Sequence, residues 1–177
     1  MRNRKKGFTL TEVILVLVIV SISVITILMI YSVSIKETEK VKIKSDELGV
    51  ISWVDLVLQK ELIKAGPEPD FVRSVYQDGK VVGVRYKVDI PLNHNDVTKQ
   101  IYLKDGKIYV WEKNYIPSDF PTGNITTLEP SGVNVVLTTR ENNGLEVNFT
   151  VNPNTISYNI SYNNSSHDGS VRLLSIK

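Results

Sequence analysis

KKGFTLTEVILVLVIVSISVITILMIYSVSI, residues 5–35, is the stretch that decides how this chain is organised. Between Lys6 and Lys36 the only charged residue is Glu12, and no proline interrupts the run. A helix rises about 1.5 Å per residue and the hydrocarbon core of a bilayer is about 30 Å thick, so the run is long enough to cross it. A removable signal peptide needs only about 7–15 apolar residues followed by a small-x-small site, which is absent here. The sequence therefore predicts a membrane-spanning helix over residues 8–35.

Four cations, Arg2, Arg4, Lys5 and Lys6, precede the apolar run. By the positive-inside rule the N-terminus stays cytoplasmic and the rest of the chain is carried outward. Because the net charge is only +2, the sequence without these four residues is slightly acidic, and it has no basic cluster. A protein that binds nucleic acid through a basic surface is therefore disfavoured. The chain has no cysteine, which excludes disulfides, thiolate zinc sites and cysteine nucleophiles.

Glu12 is the anomaly of the apolar run, because a carboxylate inside a spanning helix costs about 2.5–3.5 kcal/mol. In one interpretation it lies near the cytoplasmic interface and reaches water. In another, the bond between Gly7 and Phe8 is cut, and the new Phe8 amino group lies one helical turn from Glu12, at the positive end of the helix dipole. The carboxylate would then have a cation available, in its own chain or in a neighbour's.

These residues resemble the class III signal of type IV prepilins and of the pseudopilins of type II secretion. The resemblance rests on a short basic leader ending in Gly7, then Phe8-Thr9-Leu10-Thr11-Glu12, then an unbroken apolar run. In that family a prepilin peptidase cuts after the glycine and methylates the new N-terminal Phe, and the glutamate helps to align each subunit in the filament. The resemblance implies cleavage at Gly7–Phe8, methylation of Phe8 and an assembly role for Glu12. One departure is the absence of the helix-kinking proline of many major pilins, since the first proline is Pro67.

Residues 36–66 are predicted to continue the helix as an amphipathic segment that ends at Gly66-Pro67. Its apolar side chains recur at helical spacing on one face: Val41, Leu48, Ile51, Val54, Leu58 and Leu62. We interpret this stripe as the surface on which a sheet packs. The segment 58–66 also resembles the helix end of minor pilins and pseudopilins of the W/J type.

From Phe71 the period of the pattern changes to two, which predicts strands. Val84, Tyr86, Val88 and Ile90 alternate with the charged residues Arg85, Lys87 and Asp89, as in a strand with one buried face. Residues 101–110 form a predicted hairpin with a type I′ turn at Asp105-Gly106, in which Ile101 lies opposite Val110, Leu103 opposite Ile108 and Tyr102 opposite Tyr109. Further strands are predicted at 133–140, 145–151, 156–162 and 171–176.

The fold class expected from these patterns and from the resemblance is α+β and type IV pilin-like. Residues 1–7 are the expected cleaved leader, 8–35 the transmembrane and filament-core helix, and 36–66 its amphipathic continuation. Residues 67–177 are the expected antiparallel β-sheet domain. Residues 113–132, rich in Pro and Gly and without periodicity, are interpreted as a functional or mobile loop.

The sequence shows no catalytic constellation. His94 and His167 both fall in polar stretches that read as turns, and two scattered histidines do not make a zinc site. We therefore expect no enzyme activity, no metal and no cofactor.

The sequence favours a minor type IV pilin or pseudopilin, processed by prepilin peptidase and assembled into, or priming, a pilus-type filament. Its expected partners are other pilins or pseudopilins, the peptidase, the pilus assembly platform and the cytoplasmic membrane, with no nucleic acid bound directly. We expect a single-pass membrane protein that later reaches the pilus or cell surface. The alternatives are a pseudopilin of a type II secretion or DNA-uptake system and an uncleaved, signal-anchored extracellular binding or sensor domain; an exported enzyme is a distant third.

Overall fold

A computed structural model describes residues 9–66, 69–88 and 96–173. The predicted leader, with Gly7 and Phe8, lies outside the described residues, as does His94. The chain divides into two units, residues 1–45 and 46–177, which are described separately below.

One long helix, α1 (Leu10–Leu62), is followed by eight strands, with short 3₁₀ helices at Pro69–Phe71 and Pro117–Asp119. The strands are β1 (Val72–Gln77), β2 (Lys80–Val88), β3 (Val97–Lys104), β4 (Lys107–Asn114), β5 (Asn134–Thr138), β6 (Leu145–Asn152), β7 (Thr155–Tyr162) and β8 (Ser165–Arg172). They form two antiparallel sheets, ordered β1-β2-β3-β4-β5 and β6-β7-β8. The expected α+β class is thus confirmed, with two sheets where one was predicted.

Two Asp-Gly turns close two hairpins of the five-stranded sheet, β1-β2 and β3-β4. Asp105 and Gly106 have φ of 50° and 66°, and Asp78 and Gly79 have φ of 51° and 77°. Positive φ at both central residues is what a type I′ turn requires, and its twist matches that of the strands. The predicted pairing of Ile101 with Val110 and of Leu103 with Ile108 is therefore confirmed.

The core of the second unit lies where the C-terminal part of α1 packs against both sheets. The helix buries Ile51, Val54, Leu58 and Leu62. Their neighbours in the core come from five strands of the two sheets: Val84, Tyr86, Ile101, Ile108, Val110, Val147, Phe149, Ile156 and Ile160. The predicted stripe is thus confirmed from Ile51 onward, while Leu48 is exposed.

Two predictions about the strands were wrong. His167 lies in strand β8 and not in a turn, because Ser165–Arg172 pairs with β7 without any irregularity of register. Arg85 was expected on an exposed face, but it is buried, because residues 116–129 cover that face of the sheet. The second strand thus has two buried faces, which a pattern of period two does not reveal.

Candidate functional site

The start of α1 is a capping box formed by Thr9 and Glu12. The carboxylate of Glu12 accepts hydrogen bonds from the backbone N–H of Thr9 at 2.9 Å and from its hydroxyl at 3.0 Å. The backbone N–H of Glu12 in turn points to the Thr9 hydroxyl oxygen at 3.4 Å. A Thr-x-x-Glu pattern before an apolar run is the sequence signature of this arrangement, and our sequence reasoning overlooked it. Before any cleavage, Glu12 therefore already has a local partner.

The apolar run of α1 is long and hydrophobic enough to cross a membrane. An 18-residue window of this helix has a mean hydropathy of 3.3. Four of its Ser and Thr side chains donate to carbonyls of the preceding turn: Ser21 to Leu17 at 2.7 Å, Ser23 to Ile19 at 2.9 Å, Thr26 to Ile22 at 2.9 Å and Ser32 to Met29 at 2.8 Å. These hydroxyls are thereby satisfied within the helix, which suits them to an apolar environment.

In the second unit, α1 and Ile63, the residue directly after it, carry a further apolar stripe on the side away from the core. Trp53, Leu56 and Ile63 are 43%, 64% and 64% exposed, and Gly49 and Lys60 lie on the same side. The spacing of 3 and 4 residues along this stripe is that of a helix–helix seam. A helix that is apolar on two opposite sides, with one already packed on its own sheets, has a second surface available to a partner.

Residues 116–129, here called the strap, are fastened over the outer face of the five-stranded sheet. The guanidinium of Arg85 donates to Gln100 Oε1 at 2.8 Å and to the carbonyls of Asp119 and Thr127 at 3.0 and 3.1 Å. The indole N–H of Trp111 donates to the carbonyl of Leu128 at 2.7 Å. Burial lowers the pKa of Arg85, an effect that nearby Asp119 opposes.

The carboxylate of Asp119 strengthens the same fastening. It accepts hydrogen bonds from the Thr98 hydroxyl at 2.8 Å and from the backbone N–H of Ile116 at 3.1 Å, and it pairs with Lys113. The Tyr102 hydroxyl donates to Glu129 at 2.6 Å. The pKa of Tyr102 is raised, chiefly by burial and to a smaller extent by this hydrogen bond. The loop that the sequence suggested to be mobile is therefore held by side chains of β2, β3 and β4.

Asp55 on α1 contacts polar side chains of the three-stranded sheet and of its own helix. It accepts hydrogen bonds from the Tyr158 hydroxyl at 2.6 Å and from Gln59 at 2.8 Å, and His167 Nε2 lies 3.7 Å from it. Nearby, the Ser165 hydroxyl donates to Glu47 at 2.8 Å. Over residues 9–66, 69–88 and 96–173, no group of three His, Asp or Glu side chains is arranged to hold a metal ion. These contacts join the helix to the sheet.

Comparison with known proteins gives a family match for the N-terminal segment. Residues 2–30 match the family described as the prokaryotic N-terminal methylation motif. Neither the curated proteins nor the solved structures give a match to this chain. The matched segment contains Gly7, Phe8 and Glu12 and most of the apolar run, and together with the α+β layout it supports a type IV pilin-like protein that is a substrate of prepilin peptidase.

Proposed function

We propose that the chain is a minor pilin or pseudopilin that prepilin peptidase processes and that then enters, or primes, a pilus-type filament. The observation that carries the proposal is the methylation motif over residues 2–30. Within the apolar run, Glu12 is the only charge, so an oppositely charged partner in an apolar bundle would have to be a chain terminus; its other partners are backbone and hydroxyl groups such as those of Thr9.

Processing would change the surroundings of Glu12. Cleavage at Gly7–Phe8 makes Thr9 the second residue of the mature chain and places the Phe8 amine next to the capping box. The Thr9 N–H and hydroxyl that bind Glu12 are retained. The carboxylate can therefore keep its cap and also attract an amine, from its own chain or from the next subunit, as a register pair.

The exposed stripe of Trp53, Leu56 and Ile63 supports an assembling protein over an isolated binding domain. Exposed apolar side chains in helix–helix spacing, on the side of α1 away from the core, have the pattern expected of a surface that other subunits cover. In the proposed arrangement, the basic leader stays cytoplasmic, the domain of residues 46–177 lies outside, and the chain has no enzyme activity of its own.

Fewer observations support a minor role in the filament than support processing as a pilin-type subunit. A mobile loop over residues 113–132 would suit a subunit that does not have to tile the filament surface, but the strap is bound to the sheet by buried side chains, so this region does not support the minor role. What supports it is the resemblance of residues 58–66 to the helix end of W/J-type subunits. Whether the filament is a surface pilus, a secretion pseudopilus or a DNA-uptake pseudopilus depends on the assembly machinery with which the chain is expressed.

Mass spectrometry of sheared filaments and of membranes tests processing and role together. The mature chain should begin at methylated Phe8, and Gly7→Val should leave an uncut, unassembled precursor in the membrane, because the small residue at the scissile bond is lost. In filaments the chain should be far less abundant than the main pilin. A wild-type chain that keeps its basic leader would favour the signal-anchored binding domain. Equal abundance with the main pilin would overturn only the minor role.

A further inference from the structure

The two sheets have four outer edges, and three of them are closed or blunted. Val75 of β1 forms a bridge with Ile125, whose carbonyl accepts the N–H of Tyr76 at 2.7 Å. Strand β6 lies against β1 and β2. Strand β5 has only five residues, and its pairing with β4 shifts register at Val136. Short, bulged edge strands are a common protection against pairing with other chains.

Strand β8 is different, because it is a long and regular edge. It pairs with β7 over eight residues without a bulge, from Ser165 to Arg172. It contains neither proline nor lysine, and five of its eight residues are exposed. No described strand pairs with its outer side. Its backbone N–H and C=O groups on that side therefore form a template for another strand.

The charges of β8 indicate which strand would fit. Asp168 and Arg172 are four residues apart and lie on the same outer face of the sheet, since both are even positions of the strand. Asp168 accepts one hydrogen bond from Asn159 at 2.8 Å, and Arg172 has no ion pair within the described part of the chain. A second β8, antiparallel and centred on Ser170, places each Asp168 opposite the Arg172 of the other copy.

We propose that β8 pairs with β8 of a second copy of this chain, about a two-fold axis through Ser170. The pairing joins two three-stranded sheets into one of six strands and forms two Asp168–Arg172 pairs. On the inner face it sets Gly169, which the Tyr158 ring of the same chain covers, opposite the buried Val171. The end of β8 that contacts α1 through Ser165 and His167 lies outside the paired segment. The proposed pairing of β8 with a second β8 is inferred from the geometry and charges of this strand and does not depend on the proposed role in a filament.

Disulfide trapping in the full-length chain tests the register, because the chain has no cysteine of its own. In the proposed dimer the two Ser170 residues face each other with Cα atoms about 4.5–5.5 Å apart, within the range of a disulfide. Ser170→Cys, oxidised in membranes, should give a covalent dimer. Two matched controls should not. The Ser166→Cys thiols would be about 27 Å apart along the strands, and the Ser157→Cys thiols, one strand inward, about 14 Å apart.

Charge reversal tests the pairing itself. In the Ser170→Cys background, Arg172→Asp places like charges opposite each other and should lower the cross-linked fraction severalfold, and adding Asp168→Arg should restore it. Cross-linking of Ser166→Cys as fast as that of Ser170→Cys would indicate random collision and overturn the proposal. So would a Ser170→Cys chain that stays monomeric, or one whose dimer is insensitive to Arg172→Asp.

Discussion

At the scale of single residues, the sequence marked Glu12 as unusual and suggested the Phe8 amine as its partner, but it did not reveal the hydrogen bonds to Thr9. A capping box accepts either Glu or Gln, so the hydrogen bonds between Glu12 and Thr9 do not require a charge. An assembly pair with the Phe8 amine does require one. The two roles can therefore be separated by substitution.

Glu12→Gln should be processed normally and remain in the membrane, but it should be depleted from filaments about tenfold or more. It keeps the cap and removes the carboxylate, and leaving a buried cation unpaired costs about 3–5 kcal/mol. Thr9→Ala is the matched control, because it weakens the cap by about 0.5–2 kcal/mol and keeps the charge. Quantitative mass spectrometry of the filament and membrane fractions measures both. Assembly of Glu12→Gln at the wild-type level, with Thr9→Ala defective, would assign Glu12 to capping alone.

Gly169 is a residue whose importance only the structure shows. The ring of Tyr158, whose hydroxyl donates to Asp55, packs directly over Gly169. A Cβ at Gly169 would therefore lie 2.3 Å from the nearest atom of that ring. Gly169→Ala should therefore lower the free energy of unfolding by about 1–3 kcal/mol, as overpacked substitutions do. Gly123→Ala, which meets nothing within 4 Å, should be nearly neutral. Chemical denaturation of the two variants gives the comparison, and equal stabilities would show that the ring moves aside at no cost.

At the scale of elements, local patterns predicted those parts of the fold that local chemistry determines. The apolar run, the helix stripe from Ile51 and the Asp105-Gly106 hairpin each follow from spacing or turn chemistry within a short segment. The last strand was predicted at 171–176, but β8 is Ser165–Arg172, and residues 174–176 lie outside the described residues. The start of β8 was missed because Ser-Ser-His-Asp-Gly-Ser has little β propensity, and its pairing with β7 stabilises it instead. The strap was misread because the carbonyls that bind Arg85 and Trp111 lie 17 to 42 residues away in sequence.

The strap supplies a prediction at this scale. Arg85→Met keeps the length of the side chain but removes its bonds to the carbonyls of Asp119 and Thr127. Because unpaired buried acceptors cost about 1–3 kcal/mol, hydrogen exchange and proteolysis should increase in the strap while the sheets stay folded. Arg140→Met, at an exposed position, should leave both rates unchanged. A strap equally protected in both variants would mean that Trp111 and Asp119 hold it without Arg85.

At the scale of the whole molecule, the chain has no cysteine, so no disulfide holds the domain of residues 46–177. Most of its buried polar side chains form hydrogen bonds, and Tyr86, Tyr102, Trp111, Phe149 and Tyr158 are buried aromatic residues. Two buried oxygens among the described residues are exceptions, because the Tyr86 hydroxyl and Glu61 Oε2 have no hydrogen-bond partner, although Lys99 Nζ lies 3.8 Å from Glu61 Oε2. Burial, with Glu61 and Glu112 nearby, raises the pKa of Tyr86 well above its ordinary value. Burial also raises the pKa of Tyr158, which is bonded to Asp55.

These raised pKa values predict the alkaline behaviour of the domain. A phenol whose folded pKa lies above its unfolded pKa of about 10 contributes its full stability below that pH and loses it as the pH rises further. Ionisation of Tyr86 in the unfolded state should therefore lower the free energy of unfolding by roughly 1 kcal/mol for each pH unit above about 10. Absorbance at 295 nm, recorded with circular dichroism, should show Tyr86 ionising only as the fold is lost. Tyr86→Phe is the decisive variant, because it removes an unpartnered hydroxyl, so it should leave stability at pH 7 nearly unchanged and raise the pH of alkaline unfolding. If Tyr86→Phe unfolds at the same alkaline pH as the wild-type protein, ionisation of Tyr86 is not what limits the fold.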